Sequence, residues 1–302
     1  MLVRLVRVIG FLAILSIVAS LTAPVLRGVL GGGGLDDVGS GSTRDPGSER
    51  SGDDRPGPAR PGSATAVLQD NRFYTVGAFG PVDCPAPDLV DASAASQRAY
   101  DERVFGCLVE GWRPLIERAG GRTSAPDLYV FDSSGTSPCG SFSPSTGRIL
   151  AFYCPTNQTM YADVRQMARA FPPRHHIVYA LVLAHEYGHH VQNVTGILSA
   201  ESRLAYQEPA LETELSRRTE TQASCLAGMF VRGIEKSYPI EGVQREALEF
   251  YAYRAFGDPE GTDDRERSHG SSTSQGRWIE RGFAENDTAA CNTFVADAQD
   301  VE

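Results

Sequence analysis

Residues 175–196 read HHIVYALVLAHEYGHHVQNVTG and contain the longest unbroken apolar run after the N-terminal one. From Ile177 to Ala184 the run is almost wholly apolar; Pro172 and Pro173 stand before it and Gly196 after it, the punctuation of a helix. A helix apolar on every side is a buried one. Histidines four residues apart on a helix face the same way, so His185 and His189 can grip one Zn²⁺, while Glu186 is turned about 100° from them toward a water beside the ion. Burying two imidazoles and a carboxylate without partners is costly, which favours a bound metal over histidines that merely fill a core. The pattern predicts metal-assisted hydrolysis, in which the ion acidifies a water and polarises a carbonyl and Glu186 takes the proton.

A catalytic zinc needs a third protein ligand and an open fourth position. Glu220 is the candidate: it lies 31 residues beyond His189, on a helix predicted over about 212–232 from Leu211, Leu215, Gln222, Leu226 and Phe230. By position alone it competes with the ordinary fate of a helical Glu, a solvated charge, as do Glu212 and Glu214. A scaffold helix is predicted over about 90–117, where Tyr100, Val104, Leu108 and Trp112 recur every four residues. Leu128–Phe131 and residues 148–154 read as two strands flanking a turn-rich loop, SSGTSPCGSFSPSTG. A further helix is expected over about 243–256, stopped by Gly257-Asp258-Pro259. If Ile149–Tyr153 is an exposed sheet edge, a peptide can add to it as an extra strand. His175 and His176 read as the solvated start of the long helix, His190 points off the ligand face, and Tyr187 and Arg277 are expected in packing or surface roles.

The fold class that follows is α+β, mostly helical with a small sheet, in one substantial domain. The 302-residue chain has 28 Lys and Arg against 38 Asp and Glu, a net charge of −10, which argues against nucleic acid as a partner. Residues 8–26, VIGFLAILSIVASLTAPVL, carry no charge and follow Arg4 and Arg7. That length favours a retained membrane anchor over a cleaved signal peptide, with the bulk of the chain exported. Eleven glycines between Gly28 and Gly62, and no aromatic between Phe11 and Phe73, make the next stretch a flexible linker. The expected division is 1–27 anchor or signal, 28–65 linker and 66–302 folded domain, on the outer side of a cell membrane. Export makes disulfides the default for Cys84, Cys107, Cys139, Cys154, Cys225 and Cys291. Six cysteines allow 15 pairings; nearness suggests Cys84 with Cys107 and Cys139 with Cys154, leaving Cys225 with Cys291.

Several segments together, HEYGHHVQNVTG, ETQASCLAGMF, SHGSSTSQGRWIERGF and ACNTF with the upstream CG…FYCP, resemble the bacterial neutral zinc metallopeptidases over about Cys84 to Phe294. That resemblance implies a gluzincin-like fold, one Zn²⁺ per chain on His185, His189 and Glu220, Glu186 as general base, and a peptide or protein as substrate. It also singles out His269, as a hydrogen-bond donor to the oxyanion formed when a peptide carbonyl is attacked; packing against Trp278 is the competing role. One departure stands out: Ser224 occupies the place of an Asp that in gluzincin-like sites holds a ligand histidine by its second nitrogen. Loss of such a partner commonly costs about 10–100-fold in metal affinity or activity. Three readings therefore remain open: an active peptidase, an inactive protease-like peptide-binding protein, and a hydrolase of another envelope amide.

Overall fold

A computed structural model describes residues 62–302 apart from 86–88, 90, 146–148 and 264. The run read as an anchor and nearly all of the linker lie outside these residues. Among the described residues no helix is long and apolar enough to cross a membrane.

The fold is α+β and mostly helical. Ser63 caps α1 (Ala64–Gln69), so regular structure begins inside the stretch read as linker. The scaffold helix is α2 (Ala94–Ala119), capped by Ser93 and ended by Gly120 in the left-handed conformation. Then come β1 (Asp127–Phe131), a hairpin of β2 (Gly135–Ser137) and β3 (Gly140–Phe142), β4 (Ala151–Cys154) and β5 (Thr159–Asp163). The helices α3 (Val164–Ala170), α4 (His176–Val194), α5 (Ile197–Gln207), α6 (Glu212–Ile234), α7 (Val243–Ala252) and α8 (Ser272–Glu285) complete the domain.

The three-stranded sheet runs β1-β5-β4, with β5 parallel to β1 and antiparallel to β4. The central strand β5 escapes sequence reading because Ala and Asp are poor strand formers. Its last residue, Asp163, is also the cap of α3, so strand and helix share a junction. The turn-rich segment read as a loop contains a short hairpin, and regular strand pairing in the next segment begins only at Ala151. One face of the sheet carries Phe131, Phe152 and Tyr161 under Phe142 of the hairpin, a small aromatic cluster closed by the Cys139–Cys154 disulfide. The other face packs on the main core, in which almost all of α4 is buried. The disulfides pair as nearness suggested: Cys84–Cys107, Cys139–Cys154 and Cys225–Cys291.

Two close helix crossings set the positions of the functional side chains. A Cβ on Gly188 of α4 would come within 3.0 Å of the Ala223 Cα on α6, so glycine lets these backbones nearly touch. At the crossing of α6 and α8, side chains on Gly228 or Gly282 would collide with the backbone of Ile279 or Cys225. The middle of α6 is thereby clamped between α4 and α8.

Candidate metal centre

At the first of these crossings α4 presents His185, Glu186 and His189 to Glu220 of α6. All four are nearly inaccessible to solvent. The Glu220 Oε2 lies 3.2 Å from His185 Nε2 and 3.5 Å from His189 Nε2, and one ligand atom from each of the three residues falls within 4.8 Å of the others. Glu220, which position alone left among the solvated charges, is 3 % exposed.

His269 joins from the segment between α7 and α8. Its Nε2 is 3.8 Å from Glu220 Oε2, and its backbone N–H donates to Asp258 Oδ2 at 2.6 Å. Its Nδ1 lies 2.9 Å from Ser268 Oγ and 3.6 Å from Asp258 Oδ1. The His269 ring nitrogens are directed at the carboxylates of Glu220 and Asp258, and the Trp278 indole donates to the Asp300 carbonyl.

Electrostatics follow from this dry enclosure. Burial alone would raise the pKa of Glu220, but the imidazoles of His189 and His269 outweigh it and hold the carboxyl well below the usual range. Burial would likewise lower His189, yet the Glu220 carboxylate raises it to about 9. His269 is shifted upward by the same competition. Burial pushes Glu186 up, opposed by the two neighbouring histidines and by the Tyr153 backbone N–H, which donates to its carboxylate. Tyr153 belongs to β4, so an edge strand of the sheet runs directly beside Glu186.

The outer nitrogens of the two helix histidines are both engaged. His185 Nδ1 is 3.0 Å from Ser224 Oγ, and the Ser224 hydroxyl donates in turn to Gln275 Oε1. His189 Nδ1 is 2.9 Å from Gln192 Oε1. His189 Nε2, Glu186 Oε2 and His269 Nε2 are buried and have no hydrogen-bond partner. Buried polar atoms are nearly always satisfied, so inward-facing orphans beside a fixed carboxylate suit a cation. Two imidazoles and one carboxylate are the donor set of a zinc site with an open position.

The remaining expectations divide. His190 points away from the ligands, as read: its ring nitrogens meet the Tyr153 hydroxyl and the Ser124 carbonyl. Tyr187 is buried in packing and Arg277 is exposed. His175 and His176 are half-buried rather than solvated, and His176 Nδ1 is hydrogen-bonded to the Tyr238 hydroxyl, a partner far along the chain that periodicity does not reveal. Sequence reasoning missed Asp258, Gln192 and Gln275. Asp258 was taken only as part of a helix stop. Gln192 did leave a signal, an amide one turn beyond His189 on a helix buried all round.

A buried HExxH helix facing a glutamate on a second helix is the layout of a zinc-dependent hydrolase. The chain belongs to the family described as "putative neutral zinc metallopeptidase", whose model matches residues 85–294. It is 31% identical to the uncharacterized protein YpfJ of Escherichia coli K12 over 205 residues, 63% of this chain and 69% of that protein. The uncharacterized protein Rv2575 of Mycobacterium tuberculosis is 30% identical over 210 residues, 61% of this chain and 66% of the relative. No solved structure matches the chain.

Proposed function

We propose that this protein is a zinc-dependent peptidase held at the outer face of a cell membrane. Residues 1–27 act as its anchor, the stretch after them as a linker, and the folded part from the Ser63 cap of α1 to residue 302 as the catalytic domain. The observation that carries the reading is the convergence of His185, His189 and Glu220 beside a buried Glu186 that is itself held by an edge strand. In it, His185, His189 and Glu220 would hold one Zn²⁺. When bound, the ion supplies Lewis acidity to a water molecule and to the scissile carbonyl. A substrate peptide lies along the open edge of β4, which brings its carbonyl next to Glu186. Glu186 takes the proton of the attacking water and passes it to the leaving amine. Its raised pKa suits both directions of that transfer, and His269 Nε2 donates to the oxyanion.

Glu186→Gln tests the assignment. The variant should keep its zinc and lose peptide hydrolysis by about 10³-fold. Ser224 supports a second reading, a protein that binds peptide and zinc without turnover. Zinc-loaded parent that hydrolyses no peptide library, and is matched by Glu186→Gln in every assay, would establish that reading instead.

A further inference from the structure

Neither His185 nor His189 has a carboxylate on its outer nitrogen, yet a metal-binding imidazole must carry its hydrogen on Nδ1 to leave the Nε2 lone pair free. The network around them decides where those hydrogens sit. The Gln275 amide nitrogen donates to the His269 backbone carbonyl, a group that can only accept. The Gln275 Oε1 must therefore face Ser224. That oxygen also only accepts, so the Ser224 hydroxyl gives it its one hydrogen and has only lone pairs to offer His185 Nδ1, 3.0 Å away. His185 must then be the donor.

A separate set of amides holds His189. Gln192 Nε2 donates to the Thr219 carbonyl at 2.8 Å and to Gln222 Oε1 at 3.0 Å, which uses both of its hydrogens. Gln222 is turned that way because its own nitrogen donates to the Cys291 carbonyl at 3.0 Å and the Tyr74 hydroxyl at 2.9 Å. Gln192 Oε1 thus has only lone pairs for His189 Nδ1 at 2.9 Å. Ser224, Gln275, Gln192 and Gln222 are essentially inaccessible to solvent, so water does not compete for these bonds.

We propose that Gln192 and Gln275 are positioning residues which, anchored on the backbone carbonyls of Thr219 and His269, lock His189 and His185 with hydrogen on Nδ1 and a free Nε2 for the metal. Gln275 acts through Ser224; the serine is one link of a two-residue relay rather than a weakened carboxylate. Neutral partners suit this site, because Glu186 and Glu220 already balance the charge of one divalent ion. The inference rests on the zinc reading above and extends it to residues outside the ligand set.

The test is zinc affinity of the full-length chain in detergent, read by competition with a chromophoric chelator, together with ¹⁵N shifts of the histidine rings in the zinc-loaded state. Gln192→Leu and Gln275→Leu should each weaken zinc binding by about 10–100-fold. Ser224→Ala combined with Gln275→Leu should be no worse than the weaker single variant, since both cut one relay, whereas Gln192→Leu combined with Gln275→Leu should multiply. Gln192→Glu keeps an acceptor for His189 Nδ1 but sets an oxygen against the Thr219 carbonyl and Gln222 Oε1, so it should bind zinc more weakly than the parent, whereas a mere packing role would leave this isosteric variant unchanged. The parent's ring shifts should show both Nδ1 atoms protonated. Leucine variants that bind zinc as tightly as the parent, while Glu220→Ala binds none, overturn the inference and leave the zinc reading standing. A parent without zinc overturns both.

Discussion

Two polar clusters are buried in this domain, and they differ in how their hydrogen-bonding groups are filled. Around the candidate metal ligands the outward chains of bonds reach the backbone carbonyls of Thr219, His269 and Cys291. Of the atoms left over, His189 Nε2 and His269 Nε2 lie 3.5 Å and 3.8 Å from the Glu220 carboxylate, and Glu186 Oε2 is buried without a partner. Near the start of α2, Asp101 is fully buried with one 3.4 Å contact from Gln97, and neither Asp101 Oδ1 nor Gln97 Oε1 has a partner. Burial raises the Asp101 pKa to about 8, against smaller opposing effects of Gln97 and Arg98. Equal dryness thus has two outcomes. Where carbonyls anchor the surroundings, unsatisfied atoms become a place for a ligand; where nothing anchors them, a carboxyl is held as the neutral acid.

The largest effect should come from removing the carboxylate that gathers the metal site. Glu220→Ala should take zinc from near one per chain to none by elemental analysis of the full-length protein. Next, His269→Ala should leave zinc content unchanged while lowering kcat by about 10²-fold, the scale of one lost oxyanion donor. Zinc affinity should also rise with pH. Because the Glu220 carboxylate keeps His189 protonated up to about pH 9, binding must displace that proton, and affinity should climb up to about tenfold per pH unit below 9 before levelling. A profile flat below pH 9 would show that His189 is already neutral in the metal-free site.

The effect furthest from the metal centre belongs to the second cluster and falls on stability alone. The Asp101 carboxyl is raised in the folded state from an ordinary 3.8 to about 8, so the unfolded chain ionises first and stability falls as pH rises between those values. Asp101→Asn removes this dependence. In the metal-free protein it should match the parent near pH 4 and exceed it by on the order of a few kcal/mol at pH 8. Urea titrations at the two pH values check it, and an equal effect at both would mean that Asp101 is ionised in the fold.

Sequence legibility followed the same divide between local and docked. The helix carrying His185, Glu186 and His189 announces itself by unbroken apolarity, because a buried helix needs no partner's identity to be recognised. Glu220 needed more, since a glutamate on an amphipathic helix looks solvated until the opposing helix is known; family likeness supplied what spacing did not. Gln275 and Asp258 were illegible, because their roles exist only once α8 and the segment before it dock against α6. The strand β5 was hidden by its Ala and Asp, and the hairpin by its short, Ser- and Gly-rich strands. The acceptor of Ser224 is equally out of reach of the sequence, since Gln275 lies 51 residues away.

The Cys225–Cys291 disulfide follows directly after Ser224 and joins two points 66 residues apart. Within the loop it closes lie Asp258, His269 and Gln275, the part of the centre that α4 and α6 do not supply. Closing a loop of that size removes chain entropy from the unfolded state equivalent to about 4 kcal/mol. The enclosed segment is therefore on a short leash while the bond is intact and a long one when it is reduced. A thiol-rich compartment would leave the helix pair its own packing and slacken the tether on His269 and Gln275, so the centre's completeness is tied to the redox conditions in which the chain is folded.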